Sequence, residues 1–271
     1  VGFVLNELSR HFYAPRFFLQ EAGVSIAFSP DGKMFAAGQN DGDVLLFATD
    51  TGKVLATLRG HQGTVRSLDY NLDGTLLATG GEDGTVRIWD MAQRIEKLKL
   101  AQHNAAISQV RFSPDGAQLG SASEDGTVRV WNVADGAPAM VLRERSGQVA
   151  DIEYSLDGRL MLSASESGRG TVWATKPQAD RLVIDAHKGP VRALTFSNDS
   201  VVVASAGEDG VAAAWSGTTG GERFSYDGGA DHKVLAVGLN ANGRLMATGD
   251  SGGTLKVWSQ KTGVEWVSVS A

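Results

Sequence analysis

Two kinds of residue with side chains capable of chemistry recur at fixed distances along this chain. The histidines are His61, His103 and His187, spaced 42 and 84 residues apart. The glutamates are Glu82, Glu124, Glu166 and Glu208, each 42 residues after the last. Imidazoles are common metal ligands, and two carboxyl groups about 5–10 Å apart in different environments hydrolyse glycosides. Either chemistry requires that the residues meet in one place.

The chain also repeats an aromatic residue with the same period. It occupies six positions, at intervals of 42 four times and then 43: Phe47, Trp89, Trp131, Trp173, Trp215 and Trp258. Such a period indicates a repeat architecture, in which each copy of one unit packs against the next. Histidines on different copies cannot converge on one metal ion, and glutamates at equivalent positions form an arc on one face. We therefore predict no metal site, no cofactor and no catalytic residue in these sets.

Composition narrows the class of function further. The net charge is −6 with a pI near 5.4, which argues against nucleic-acid binding, since that normally needs a basic stripe. Cysteine is absent from the sequence, so disulfides and thiol nucleophiles are excluded. We see neither a membrane-spanning apolar run nor a secretory signal, and we expect a cytoplasmic protein without membrane contact. The chain starts at Val1, inside an apolar segment, and whether it is a domain of something longer stays open at this point.

Each repeat reads as four short strands. In the second repeat an apolar alternation, Val65 to Tyr70, runs into an Asn-Leu-Asp-Gly turn, and a strand of small residues follows at 76–80. A second turn at Asp83-Gly84 leads to a strand that ends on Trp89, and Ile95 to Leu100 supplies the fourth strand. Asp-Gly pairs suit tight hairpins. The sequence predicts an all-β fold of four-stranded antiparallel blades in one domain, residues 24–271.

Several motifs resemble those of a known family. The sequence GH at 60–61, FSPDG at 28–32 and 112–116, and GGEDGTVRIWD at 80–90 are similar to the consensus of the WD-repeat β-propellers. The resemblance covers roughly residues 24–271 and recurs six times in phase. It implies a β-propeller with six complete repeats, closed as a ring of six or, if the chain is a fragment, of seven.

The resemblance also implies a structural tetrad, in which a His, a Ser or Thr, an Asp and a Trp share hydrogen bonds within one blade. Three blades match it, with the sets His61, Thr79, Asp83 and Trp89; His103, Ser121, Asp125 and Trp131; and His187, Ser205, Asp209 and Trp215. Three blades depart from it. The first has Phe47 for Trp, the fourth has Arg145 and Ser167 for His and Asp, and the sixth has Gly252 for Asp with His232 out of phase. We expect these three blades to be held more by packing than the other three are, with more mobile second turns.

Residues 1–23 permit two interpretations. Gly2 to Asn6 lies one period upstream of the third strand of the first repeat, and residues 16–19 resemble a fourth strand. On this interpretation the segment supplies half of a further blade. Alternatively, Leu5, Leu8 and Phe12 share one face of an amphipathic helix that Pro15 ends. Both interpretations stay open at this point.

The family resemblance implies a partner-binding surface on the top face, at the residue before the turn aspartate and at the start of the first strand. The matching positions are Asn40, Thr64, Arg66, Glu82, Ala106, Ser108, Glu124, Gln148, Ala150, Glu166, Pro190, Arg192, Glu208, Lys233, Leu235 and Ser251. An arc of four glutamates would attract a basic peptide or a basic loop of a protein. Alternatively, Arg66 and Arg192 neutralise the glutamates and leave a solvated rim.

These features favour a non-enzymatic scaffold for protein interactions, or the docking or sensor domain of a longer protein. The alternative is a hydrolase with the propeller fold. That alternative predicts a deep axial site lined by polar residues that do not repeat.

Overall fold

The computed structural model describes residues 25–144, 147–175, 182–227 and 232–270. These ranges contain 24 β-strands and no helix. The two interpretations of residues 1–23 lie outside the described residues, and so does Arg145.

The first three blades use the first twelve strands. Blade one is β1 (Ser25–Phe28), β2 (Met34–Gly38), β3 (Val44–Ala48) and β4 (Val54–Leu58). Blade two is β5 (Val65–Tyr70), β6 (Leu76–Gly81), β7 (Val86–Asp90) and β8 (Ile95–Leu100). Blade three is β9 (Ile107–Phe112), β10 (Gln118–Ser123), β11 (Thr127–Asn132) and β12 (Pro138–Arg143).

The last three blades use the other twelve. Blade four is β13 (Val149–Tyr154), β14 (Leu160–Ser165), β15 (Arg169–Ala174) and β16 (Leu182–Asp185). Blade five is β17 (Val191–Phe196), β18 (Val202–Gly207), β19 (Val211–Ser216) and β20 (Glu222–Asp227). Blade six is β21 (Val234–Leu239), β22 (Leu245–Asp250), β23 (Thr254–Ser259) and β24 (Glu265–Ser270).

Each blade is an antiparallel sheet whose strands pair in chain order. The first strands of successive blades pack side by side, so they form the innermost layer of the propeller. This arrangement confirms the predicted fold class, an all-β propeller of four-stranded blades with six complete repeats.

The turns after the first strands show why Asp-Gly recurs. In blade one the Asp31 carboxylate accepts hydrogen bonds from the Ser29 hydroxyl at 2.7 Å and the Lys33 backbone N–H at 3.0 Å. The next residue, Gly32, has φ +67°, which glycine adopts without strain. The Asp31 side chain therefore stabilises the turn through hydrogen bonds to residues on both sides of it.

The hydrophobic core lies between blades. Between blades two and three, for example, Ile88 on one side packs with Val110, Phe112, Leu119 and Trp131 on the other, and all five are buried. Burying a side chain of this size contributes roughly 1.5–3 kcal/mol. Each blade is thus stabilised mainly by its neighbours, as expected of a repeat protein.

The small residues of the second strands permit this close packing. A Cβ atom on Gly80 would lie 2.5 Å from Cγ2 of Ile107, on the first strand of the next blade. One on Gly38 would lie 2.7 Å from the carbonyl oxygen of Val65. A larger side chain at either position would force neighbouring blades apart.

The two ends of the series of blades leave apolar surface uncovered. Ile26 and Phe28 on β1 are 54% and 61% exposed, whereas Leu68 and Tyr70, one period later, are buried against the preceding blade. At the other end Leu255 and Val269 are exposed, although the equivalent residues of blade two belong to its core. Blades six and one therefore do not bury each other as successive blades do. The choice between a ring of six and a ring of seven stays a prediction.

Candidate functional site

Blade two contains the hydrogen bonds that the family pattern implies. Nδ1 of His61 lies 3.0 Å from Oδ1 of Asp83, and Nε2 lies 2.8 Å from the hydroxyl of Thr79. The indole N–H of Trp89 donates to the same hydroxyl at 3.0 Å. Asp83 also accepts a hydrogen bond from the backbone N–H of Gln62 at 3.0 Å. This bond holds the segment that precedes the first strand of the blade.

The same geometry recurs in blades three and five. In blade three His103 lies 3.0 Å from Asp125 and 2.8 Å from Ser121, which accepts Trp131 at 2.9 Å. In blade five His187 lies 2.9 Å from Asp209 and 2.8 Å from Ser205, which accepts Trp215 at 2.9 Å. One set of protons satisfies every member: Trp N–H donates to the hydroxyl, the hydroxyl to Nε2, and Nδ1–H to the aspartate.

Burial and hydrogen bonding keep these groups in that state. Burial lowers the pKa of His61 and of His103 below the usual imidazole range, against the opposing effect of the aspartates. Burial also acts against ionisation of Asp125. Hydrogen bonds from Thr127, Asn104 N–H and His103 outweigh that effect and lower the pKa of Asp125 to about 2. Neutral histidine beside ionised aspartate is therefore the stable arrangement at neutral pH in blades two and three.

Although a Ser–His–Asp set has the composition of a hydrolase triad, these sets cannot act as one. The hydroxyls of Thr79, Ser121 and Ser205 belong to residues with no exposed surface, and the three histidine side chains are buried. A nucleophile must reach its substrate. The tetrads instead fix the second turn of blades two, three and five.

Blade four retains a polar network with different members. The hydroxyl of Ser163 donates to the carboxylate of Glu144, and the indole N–H of Trp173 donates to Ser163 at 2.8 Å. Ser167 lies 2.6 Å, oxygen to oxygen, from Ser165. Glu144 takes the acceptor role one residue before the position of the missing histidine, so a hydrogen bond accompanies the packing in this blade. An acidic residue at that offset was the available sequence signal.

Blade six also keeps polar links, but the aspartate has moved. The carboxylate of Asp250 accepts the backbone N–H groups of Gly252 and Thr254, both at 2.9 Å, and so caps the turn from two residues upstream of the expected position. Trp258 donates to Thr248 at 3.2 Å. His232 lies against Gly252, where a Cβ atom would approach its Nδ1 to 2.8 Å. Hydrogen bonds therefore accompany the packing in this blade too.

Blade one relies on stacking instead of hydrogen bonds at this position. The ring of Phe47 stacks on that of Phe35, with centroids 4.8 Å apart and planes 8° from parallel. Here Ala37 takes the place of the tetrad hydroxyl, and a hydrophobic pair replaces the polar set.

The predicted partner-binding residues occupy one end of the blades, which we call the upper face. In five blades the residue before the turn position donates its backbone N–H to the start of the first strand, at 2.8–3.1 Å: Glu82 to Thr64, Glu124 to Ala106, Glu166 to Gln148, Glu208 to Pro190 and Ser251 to Lys233. Asn40, Gln148, Leu235 and Ser251 are exposed, Ser108 and Ala150 are half-buried, and Ala106 is buried. Ala106 therefore has little surface to offer a partner.

Ion pairs on the upper face link neighbouring blades. The guanidinium of Arg66 lies 3.2 Å from Glu82 and 2.5 Å from Glu124. That of Arg192 pairs with Glu208 and lies 4.0 Å from Glu166, and the ammonium of Lys233 also pairs with Glu208. The backbone and hydroxyl of Thr64, followed by Arg66, lower the pKa of Glu82, and Lys233, followed by Arg192, lowers that of Glu208. This pattern favours the alternative in which Arg66 and Arg192 neutralise the glutamates. Glu166 has the longest of these ion-pair distances, 4.0 Å to Arg192.

Sequence reasoning missed a cavity of about 670 Å³ among the first strands. Its lining includes Asp69, Arg111, Asp151 and Glu153. Burial raises the pKa of Asp69 and of Asp151, and the charge of Arg111 opposes it. Burial raises the pKa of Glu153 to about 7, and the charge of Asp151 adds to that effect. The only sequence signal was the presence of charged residues within otherwise apolar first strands.

Across the described ranges, no group of three or more His, Asp or Glu side chains is placed to hold a metal ion. In the same part of the chain, no helix is long and apolar enough to cross a membrane.

Four-stranded antiparallel blades, three of which contain an internal His–Ser/Thr–Asp–Trp network, define a WD-repeat β-propeller. A family model described as the IFT122 first beta-propeller matches residues 22–271, and the chain belongs to that family of propellers. Among curated proteins, the chain is 48% identical over 44 residues to the Uncharacterized WD repeat-containing protein alr3466 of Nostoc sp. (strain PCC 7120 / SAG 25.82 / UTEX 2576). It is 44% identical over 48 residues to the WD repeat-containing protein VIP3 of Arabidopsis thaliana.

Both similarities to curated proteins are local. They cover 16% and 18% of this chain, and 3% and 15% of the two relatives. They extend over about one repeat and support the repeat type.

Proposed function

We propose that this chain is a non-enzymatic protein-interaction scaffold whose partner docks on the upper face. Membership of the WD-repeat propellers supports the general role. The observation that carries the choice of face is structural. Buried tetrads in blades two, three and five adjoin glutamates that are exposed or half-buried, and the repeated backbone links hold those glutamates in fixed positions. A preorganised surface binds at a lower entropic cost than a flexible one.

The charges of this face suggest how a partner would be recognised. Arg66, Arg192 and Lys233 already pair with three of the four glutamates, so a basic partner would compete with them at most positions. Glu166 is the exception, because its carboxylate lies 4.0 Å from Arg192. We expect a lysine or arginine of the partner to pair with Glu166, and the surrounding ion pairs to set the register.

Charge reversal on the upper face tests the proposal. The double variant Glu124→Lys and Glu166→Lys should abolish capture of the partners that the unchanged chain retains from a lysate of its source organism. Glu222→Lys is the matched control, because Glu222 is exposed on β20, the outermost strand of blade five. Cross-linking with mass spectrometry should place the lost partners on the upper face. Unchanged capture by the double variant would refute the choice of face.

A further inference from the structure

The last blade presents an apolar face that the described part of the chain leaves exposed. Leu255 on β23, and Val267 and Val269 on β24, are 51%, 48% and 58% exposed. Leu255 pairs with Val269 in the register in which Val86 pairs with Leu100 in blade two, where both residues are buried. The positions that build the core between blades two and three are therefore open to solvent in blade six. We call Leu255, Val267 and Val269 the end face.

A glycine beside the end face has the small size that a covering sheet requires. Gly80 occupies this position in blade two, where a Cβ atom would lie 2.5 Å from Cγ2 of Ile107 on the next blade. Its equivalent in blade six is Gly249, which pairs with Leu255. Within the described residues, a Cβ atom on Gly249 would meet only the Cβ atom of Ala236, at 3.7 Å in its own blade. Glycine weakens a strand and often marks a close approach of another backbone, so Gly249 independently indicates that a sheet packs here.

The other blades show which kind of element fits this face. In blade two the equivalent surface is covered by the first two strands of blade three, through Ile107, Val110 and Phe112 on β9 and Leu119 on β10. The first strands of blades two to five share one pattern, with apolar residues at positions one, four and six and an aromatic ring at position six. A β-hairpin with this pattern is the complement of the end face, and it continues an interface that the described blades build five times.

Blade six lacks the polar links that join the first strands of blades two and three. There the Ser67 hydroxyl and the Asp69 carboxylate accept backbone N–H groups of β9, at 3.0 and 2.7 Å. The equivalent positions in blade six are Ala236 and Gly238, which offer no side-chain acceptor. A Cβ atom on Gly238 would have no neighbour within 4 Å among the described residues. Apolar contacts alone would hold an occupant here, which favours a separate chain over another blade of the same ring.

We propose that the end face binds a β-hairpin presented by a partner protein, whose first strand carries apolar residues at positions one, four and six. The hairpin would take the place on blade six that β9 and β10 take on blade two. An isolated hairpin is at best marginally stable in water, so a folded partner must present it. The end face thus adds a second binding surface, and a second kind of partner, to those of the proposed function.

Fluorescence anisotropy with a labelled hairpin peptide tests this surface. The probe has the sequence of residues 104–123, which contain β9, its turn and β10, and it is cyclised head to tail to preorganise the hairpin. Its comparator carries Val110→Asp and Phe112→Asp. We expect the chain to bind the probe about tenfold more tightly than the comparator. The double variant Leu255→Asp and Val269→Asp should remove that preference.

Val54→Asp is the matched control, because Val54 lies on β4, the fourth strand of blade one, and is 54% exposed. This variant should bind the probe as the unchanged chain does, and circular dichroism should show that both variants are folded. Val267→Ser is a milder change on the end face and should weaken binding of the probe by about threefold. It decides the question if the double variant does not fold.

The opposite results would overturn the proposal: equal affinity for probe and comparator, or an unchanged preference in the Leu255→Asp and Val269→Asp variant. A fall in the urea midpoint for Leu255→Ala as large as that for Val86→Ala would show that the chain itself covers the end face, and would also overturn it. So would self-association of the unchanged chain that the double variant abolishes, because a second copy would then be the occupant. The upper-face variant Glu124→Lys and Glu166→Lys should bind the probe normally, so failure of this surface and failure of the proposed function can be told apart.

Discussion

In blade four, Glu144 accepts a hydrogen bond from the buried hydroxyl of Ser163. In blades two, three and five, the equivalent hydroxyl donates instead to Nε2 of a histidine. A single carboxylate thus replaces a His–Asp pair. The indole of Trp173 still donates to that hydroxyl, so the inner half of the network is unchanged. Two chemically different acceptors support the same strand geometry.

The first prediction concerns this carboxylate. Glu144→Ala removes the acceptor of a fully buried hydroxyl and should lower the free energy of unfolding by about 1–3 kcal/mol, as measured in urea. Glu144→Gln keeps an acceptor oxygen and should lose less than half of that. Glu222→Ala, on the exposed edge of blade five, should stay within about 0.5 kcal/mol of the unchanged chain. Equal effects of Glu144→Ala and Glu222→Ala would show that the bond adds nothing.

The second prediction concerns a complete tetrad. Ser121→Ala leaves the indole N–H of Trp131 and Nε2 of His103 without their partner in a buried site. We expect a loss of about 2–3 kcal/mol in the free energy of unfolding. Thr262→Ala removes a hydroxyl from an exposed turn and serves as the control. A loss below about 0.5 kcal/mol for Ser121→Ala would contradict a stabilising role for the tetrad.

The third prediction is a pH dependence that arises from Glu153. Burial raises its pKa from 4.5 to about 7, so between these values the folded chain holds a proton that the unfolded chain releases. Its contribution to stability therefore declines as pH rises from 4.5 to 7. At pH 8 the unchanged chain bears the cost of the buried charge, and Glu153→Gln should be more stable by about 1–3 kcal/mol. At pH 4.5 the difference should nearly vanish.

The histidines act in the opposite direction over part of this range. The pKa values of His61 and His103 are lower in the folded chain than in the unfolded chain. Below about pH 6.5 the unfolded chain therefore binds more protons at these histidines than the folded chain does. Their contribution to stability is therefore lost as pH falls. The difference between the unchanged chain and Glu153→Gln cancels this effect, so thermal denaturation of both from pH 4.5 to 8 isolates Glu153. A difference that does not vary with pH would refute the assignment.

The fold could be predicted from the sequence because every repeat must bury the same kind of surface. In each repeat that has it, the periodic tryptophan, such as Trp89, donates one hydrogen bond and packs between two blades. The spacing of these tryptophans therefore predicts the number and length of the repeats. The role of Glu144 was not predictable in the same way. Glu144 precedes the position of the tetrad histidine by one residue, so the spacing of the repeats does not place its carboxylate beside Ser163. Asp69 and Arg111 occupy equivalent positions of different repeats. Only the packing of the first strands brings their separate charges into one cavity.

The last prediction uses the uncovered surface of β1. Phe112 is buried between blades, and Phe112→Ala should cost about 3–5 kcal/mol. Phe28 lies two periods upstream and is 61% exposed, so Phe28→Ala should cost less than about 1 kcal/mol. Ile26 and Leu68 provide a second matched pair, one exposed and one buried. Urea denaturation of the four alanine variants measures both contrasts. If Phe28→Ala and Ile26→Ala cost as much as their buried counterparts, this surface is covered in solution, because exposed side chains lose little on truncation.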